Sequence, residues 1–132
     1  MKVLALDYGA ARTGVAVSDE TGTIARPLAT VERASSDAGL ARVVELVREL
    51  GAELVVVGLP LTLRGAHGEQ ARATGEFVRA LRRALDVPVE TYDERFTTAL
   101  AARGGGSTST EDARAAAHLL EGYLRWTSAR GS

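Results

Sequence analysis

The feature that most constrains the fold is an unbroken run of apolar residues, LVVV, at residues 54–57. Side chains of a β-strand point alternately to its two faces, so a strand built from this run carries apolar side chains on both faces. Such a strand is buried on both sides, as in sheets that helices cover above and below. The run therefore predicts a three-layer α/β domain with a sheet in the middle.

The segments around this run have the patterns of the covering helices. Residues 35–50 place apolar side chains on one helical face and charged side chains on the other, with Ser35 or Ser36 as the N-cap and Gly51 at the end. A second helix follows the glycine-bearing loop around residues 65–68, and a third helix covers residues 110–126. Together they can supply both outer layers.

Extended segments predict the rest of the sheet. Residues 3–6 and 15–17 indicate two strands joined by a glycine-containing turn over residues 9–14. Residues 23–31 indicate a third strand, whose proline favours an exposed edge. Connections this short predict an antiparallel meander. Residues 87–92 then complete a mixed sheet of five strands, three in the meander and the others parallel.

The composition excludes several kinds of site. With no cysteine the chain has no disulfide, no thiolate nucleophile and no zinc–sulfur centre, and two histidines are too few for a multi-histidine metal site. Any metal site must therefore use oxygen ligands, which suit Mg²⁺, Mn²⁺ or Ca²⁺. A net charge of −1 neither requires nor forbids a nucleic-acid partner.

Length and hydropathy predict one cytoplasmic domain. The 132 residues suit a single domain over the whole chain, with a flexible tail after about residue 127. No apolar stretch approaches the ~20 residues that span a bilayer, and no signal-peptide pattern follows the first residues. We therefore expect a cytoplasmic protein that has no membrane partner.

Acidic residues stand where apolar segments end. Asp7 directly follows the first strand, and Asp93 and Glu94 follow the last one. Chemistry in open α/β sheets collects at the carboxyl ends of strands, and alternation puts Glu94, but not Asp93, on the same face as Tyr92. Asp112 falls at the N-terminal end of the apolar face of the third helix.

Each acid also has an ordinary structural explanation. Asp7 can begin a turn, Asp93 or Glu94 can cap the segment that begins at Phe96, and Asp112 has capping-box spacing from a serine three residues earlier. Taken together, these acids indicate a shared site. Carboxylates that converge on one point repel one another unless a cation neutralises them, and paired Mg²⁺ or Mn²⁺ ions promote phosphodiester cleavage.

Four segments, in this order, resemble one bacterial family. They are similar to the YqgF-type family of pre-16S ribosomal RNA nucleases, which look like Holliday junction resolvases, and they read LALDYGAARTGVAVSD, VVVGLPLTLRGAHGEQA, TYDERFTTA and EDARAAAHLLEGYL. The resemblance covers nearly the whole chain. It implies an RNase H-like three-layer fold and a metal-dependent nuclease that processes the 5′ end of pre-16S rRNA. It also implies that Asp7, Glu94 and Asp112 are the catalytic and metal-binding residues.

Two arginines are candidates for binding a substrate phosphate. Arg12 lies in the predicted turn after the first strand and Arg95 follows Glu94, and each also fits an ordinary solvated arginine or surface ion pair. The connection from Glu94 to Asp112 is shorter and less basic than is usual in the family. That difference bears on how firmly the chain holds its substrate and on whether it forms a homodimer as its relatives do.

Three functions remain open from the sequence. The first is a Mg²⁺- or Mn²⁺-dependent nuclease acting on structured RNA, with pre-16S rRNA favoured and branched DNA as a close variant. The second is an actin-like ATPase, whose first hairpin also carries an acid followed by glycine, although such proteins need two domains of this kind. The third is a nucleic-acid-binding protein that has the same fold and no catalytic activity.

Overall fold

The computed structural model describes residues 1–59, 69–93 and 109–129. Strands and helices follow one another as the sequence predicts. The elements are β1 (Val3–Asp7), β2 (Arg12–Ser18), β3 (Ala25–Glu32), α1 (Asp37–Leu50), β4 (Leu54–Leu59), α2 (Glu69–Ala84), β5 (Val89–Asp93) and α3 (Ser109–Ala129). Within these three ranges, no helix is long and apolar enough to cross a membrane.

The five strands form one mixed sheet in the order β3-β2-β1-β4-β5. The first three strands are antiparallel neighbours, whereas β4 pairs in parallel with both β1 and β5. The predicted meander and the predicted mixed sheet are both confirmed. Because β3 is at an edge of the sheet, its proline removes no hydrogen bond between central strands.

Helices cover both faces of the sheet, as the apolar run in β4 predicts. On one face, Leu4 and Leu6 of β1 pack in a cluster that includes Val43 of α1 and Phe77 of α2. On the other face, the alternate residues of β1 pack in a cluster with α3; its members include Val3, Ala5, Val56, Ala116, Leu119 and Leu120. The two faces of β1 therefore face different layers, and the second is called here the α3 face.

Local signals set the ends of the first helix. Of the two serines that could cap α1, Ser36 does so, since its hydroxyl accepts a hydrogen bond of 3.1 Å from the backbone N–H of Gly39. Gly51 ends the helix with a φ of 66°, in the left-handed region that favours glycine.

One boundary differs from the prediction in a way that matters for the site. The turn predicted over residues 9–14 is shorter, because β2 begins at Arg12 rather than at residue 15. Backbone pairing extends the strand: Gly14 is the partner of Asp7 in β1, and Arg12 is the partner of Glu32 in β3. Arg12 and Gly14 therefore belong to the sheet and not to the turn.

Smaller differences occur at other ends. The structure begins β3 at Ala25, two residues later than predicted, and extends α3 to Ala129, past the predicted end at residue 126. The sequence predicts a flexible tail after about residue 127, whereas residues 128 and 129 belong to α3. Residues 130–132 lie outside the described residues.

Candidate active site

Strand β1 carries Asp7 at its carboxyl end. Val3 and Ala5 belong to the cluster on the α3 face, so the alternation of the strand directs Asp7 to the same face. The residue is 5% exposed, and its Oδ1 is buried. The central strand of the sheet therefore ends in a buried carboxylate.

Helix α3 brings Asp112 to the same place. Its backbone lies directly against Gly14, the partner of Asp7 in β2: a β-carbon at Gly14 would be 1.9 Å from the carbonyl oxygen of Asp112. Only glycine permits this approach. Asp7 and Asp112 therefore both lie next to Gly14, the first through strand pairing and the second through backbone contact.

Arg12 forms an ion pair with the second of these carboxylates. It lies two residues before Gly14 in β2 and hence on the same face of the strand. Its Nε is 3.0 Å from Oδ2 of Asp112, and the two side chains are 35% and 16% exposed. The arginine therefore reaches from solvent to a largely buried carboxylate.

The turn between β1 and β2 is held at several points. The hydroxyl of Thr13 lies 3.4 Å from the backbone nitrogen of Gly9 and 3.5 Å from its carbonyl oxygen. The N–H of Arg33 donates to the carbonyl of Ala11 at 3.0 Å. Below the turn the ring of Tyr8 stacks on that of Phe77 with centroids 4.6 Å apart. These contacts fix the backbone on which the acid and the arginine stand.

Strand β5 lies next to β4, on the side away from β1, and also contributes side chains to the α3 face. Tyr92 packs in the cluster on that face, and the hydroxyl of Tyr123 in α3 donates to Oε1 of Glu90 at 2.7 Å. Glu94 and Arg95 follow this strand and lie outside the described residues. The described residues contain no group of three or more acids or histidines that could hold a metal ion.

The three tyrosines and one of the two histidines have structural places in the described residues. Tyr8, Tyr92 and Tyr123 are buried, as expected of core aromatics. His118 lies on the exposed face of α3, with Nδ1 3.5 Å from a carboxylate oxygen of Glu121. His67 lies outside the described residues.

The role of Gly14 is not apparent from its neighbours in the sequence. The sequence predicts a turn at this position, whereas in the structure Gly14 lies in β2 and the backbone of α3 packs against it. A glycine within a strand can mark the close approach of another backbone, so the signal was present. The segment that makes the approach comes almost one hundred positions later, and no local pattern identifies it.

The fold is that of RNase H-like resolvases. One solved structure, Thermus thermophilus RuvC in complex with Holliday junction substrate, aligns with a TM-score of 0.63 over 97% of this chain and 96% of that one, at 23% identity. The fowlpox virus Holliday junction resolvase aligns with a TM-score of 0.55 at 12% identity, over 96% of this chain and 99% of that one. At these identities the likeness concerns the fold.

The sequence identifies the family. Residues 1–126 match the family described as RuvX: Holliday junction resolvase, and the chain belongs to it. A relative from Chloroflexus aggregans is 48% identical over 99 residues, which cover 75% of this chain and 70% of the relative. One from Moorella thermoacetica is 39% identical over 132 residues, covering 94% of each. Both are named "Putative pre-16S rRNA nuclease", and the family resemblance is confirmed.

Proposed function

We propose that this protein is a divalent-metal-dependent nuclease that hydrolyses phosphodiester bonds during 5′-end processing of pre-16S rRNA. The observation that carries the proposal is the pairing of Asp7 with Gly14, against which the backbone of Asp112 packs. Two acidic residues from chain segments far apart in sequence are thus neighbours of one glycine beside the central strand, which supports a shared site. The names of the relatives favour RNA as the substrate.

The residues present fit a divalent cation. Mg²⁺ and Mn²⁺ prefer carboxylate oxygens, and both acids offer them in a largely buried setting. Burying carboxylates together is costly unless positive charge compensates. At Asp112 the structure already supplies a cationic group, the guanidinium of Arg12, on one of those oxygens. The chemistry of the donor set thus favours a cation at this position.

We assign Glu94 as the third acid of the site. It comes directly after β5, and the residues at even positions before it, Glu90 and Tyr92, are in contact with α3 or with its cluster. Continuing this alternation favours Glu94 over Asp93 as the acid that faces the site. The family resemblance supports the same choice.

Each residue has a distinct part in the proposed reaction. Asp7, Glu94 and Asp112 hold the cation, and Arg12 and Arg95 bind phosphate oxygens of the substrate. A bound Mg²⁺ or Mn²⁺ supplies activation of the attacking water and stabilisation of the leaving oxygen. Because Asp7 is fixed by strand pairing and Asp112 by backbone packing, the acids need little reorganisation to act. The products are a 3′-hydroxyl and a 5′-phosphate.

The test is cleavage of a labelled 5′ fragment of pre-16S rRNA beside a four-way DNA junction, each with Mn²⁺, Mg²⁺ or EDTA. Wild type is compared with Asp112→Asn and with Glu121→Gln, a matched control on the exposed face of the same helix. We expect metal-dependent cutting of the RNA that Asp112→Asn abolishes and Glu121→Gln retains.

Other outcomes select other functions. Cutting of the junction alone makes the protein a DNA endonuclease of the same mechanism. Binding of either nucleic acid without cutting by wild type, in any of the metals, contradicts the nuclease proposal and leaves a non-catalytic binding protein.

A further inference from the structure

We propose that Arg12 and a divalent cation compete for Oδ2 of Asp112. Arg12 would thereby set the metal affinity of the site, and a cation that takes this oxygen would release the guanidinium towards a substrate phosphate. The inference rests on the proposed function, because it assumes that Asp112 holds metal. It adds to that function an exchange of Arg12 for the metal cation on one carboxylate oxygen of Asp112.

The distance between the paired atoms carries the first step. Nε of Arg12 is 3.0 Å from Oδ2 of Asp112. Mg²⁺ binds a carboxylate oxygen at about 2.1 Å, so a metal ion on that oxygen would lie within about 5 Å of the guanidinium nitrogen. Two positive groups this close in a partly buried site repel each other strongly. Occupancy of Oδ2 by one therefore weakens its occupancy by the other.

The second part of the argument is that Asp112 is held more firmly than Arg12. The backbone of Asp112 is seated against Gly14, and its side chain is 16% exposed. The side chain of Arg12 is 35% exposed and begins at the first residue of β2, so the guanidinium can leave the carboxylate without disturbing strand pairing. The arginine is therefore the partner that moves.

Chemistry carries the third step. A guanidinium presents planar N–H donors that match the oxygens of a phosphate, and it keeps its charge at any physiological pH. Released beside the acids, Arg12 would meet a phosphodiester at the metal. The exchange would couple metal binding to substrate binding, since the arginine becomes free only when another cation has replaced it.

The experiment measures Mn²⁺ affinity without nucleic acid, from the electron paramagnetic resonance signal of free Mn²⁺. The variants are Arg12→Gln, Arg12→Lys and Asp112→Asn. The matched control is Arg42→Gln, which breaks an exposed ion pair with Glu45 on α1. We expect Arg12→Gln to bind Mn²⁺ about threefold or more tightly than wild type, because removing a competing state raises apparent affinity by the inverse of the competent fraction. The Mn²⁺ affinity of Arg12→Lys should lie between those of wild type and Arg12→Gln, and the affinity of Arg42→Gln should match that of wild type.

Thermal melting gives an independent readout. In EDTA, Arg12→Gln should melt below wild type, because Asp112 loses its counter-charge. Saturating Mn²⁺ should raise the Tm of Arg12→Gln by more than it raises that of wild type, because a ligand bound more tightly to the folded state stabilises it more.

The outcomes separate this inference from the proposed function. Unchanged or weaker Mn²⁺ binding by Arg12→Gln, with binding lost in Asp112→Asn, overturns the competition and leaves the metal site in place, with Arg12 as an orienting residue. Wild-type binding by Asp112→Asn, or no binding by wild type, contradicts the metal site itself and the inference with it.

Discussion

The carbonyl oxygen of Asp112 lies against Gly14 so closely that a β-carbon there would be 1.9 Å from it. The contact joins the first turn of α3 to the strand that pairs with β1. Because it is made by backbone atoms, no rearrangement of a side chain can relieve a clash. The position of Asp112 relative to Asp7 therefore depends on the absence of one methyl group.

Gly14→Ala should displace the start of α3. The added methyl group must push the helix away from the sheet, which we expect to cost about 2 kcal/mol or more of unfolding free energy. For a chain of this size the Tm should fall by roughly 6 °C or more, and metal-dependent cleavage should be lost. Calorimetry and the cleavage assay measure the two effects on one preparation.

Gly75→Ala is the matched control for this substitution. Gly75 lies within α2, and among the described residues a β-carbon there would meet only the guanidinium of Arg79 at 3.8 Å, an ordinary contact. Alanine in place of glycine inside a helix should stabilise the protein by about 0.5–1 kcal/mol. Similar Tm values for Gly14→Ala and wild type would contradict the close packing of α3 against Gly14.

A pair of neighbouring substitutions tests the third acid. Glu94→Gln should lower the rate of metal-dependent cleavage by about 100-fold or more, because it removes a proposed metal ligand. Asp93→Asn should leave the rate near that of wild type, because alternation in the sequence predicts that Glu94, and not Asp93, shares a face with Tyr92. The opposite order of effects would show that strand alternation does not continue past β5.

Tyr123 tests whether stability and cleavage are separable on α3. Its hydroxyl donates to Glu90 at 2.7 Å, while the residue lies three turns beyond Asp112 on the helix. Tyr123→Phe should cost about 0.5–1.5 kcal/mol in urea unfolding and leave the cleavage rate unchanged. A cleavage defect at unchanged stability would place this hydroxyl in substrate binding instead.

The turn between β2 and β3 makes stability depend on pH. A hydrogen bond from the hydroxyl of Thr21, followed by those from the N–H groups of Ile24 and Thr23, holds the pKa of Asp19 well below its usual value. A depressed pKa in the folded state means that the ionised carboxylate stabilises the fold above the usual aspartate pKa of about 3.9 and stops doing so as pH falls through the folded value.

The substitution Asp19→Asn measures this contribution. Wild type should melt above the variant at pH 7, and the gap in Tm should narrow progressively below about pH 5. A gap that stays constant from pH 7 to pH 2 would mean that the charge of Asp19 contributes nothing, and that the amide differs for another reason.

Much of the architecture was predictable because burial patterns are local. The apolar run of β4 requires cover on both faces, and the serine–glycine pair around α1 marks its ends, so both were found from the sequence. Asp7 and Asp112 were selected because acids are unusual next to apolar segments. The resemblance of the chain to a known nuclease family then assigned both acids to one site.

The rest depended on contacts between distant segments. The start of β2 at Arg12 follows from its pairing with β1 and β3, which a scan of neighbouring residues does not include. The seat of α3 on Gly14 and the ion pair between Arg12 and Asp112 both join residues about one hundred positions apart. Such contacts have no periodic signature.

The most direct measurement is the single-turnover cleavage rate of the pre-16S rRNA fragment in saturating Mn²⁺ by wild type and Asp7→Asn. Asparagine keeps the size of this buried side chain and removes its charge, and Asp86→Asn in an exposed turn controls for the chemical change alone. We predict that Asp7→Asn falls by about 100-fold or more while Asp86→Asn matches wild type. Cleavage by a folded Asp7→Asn at the wild-type rate would contradict a catalytic site built on this carboxylate.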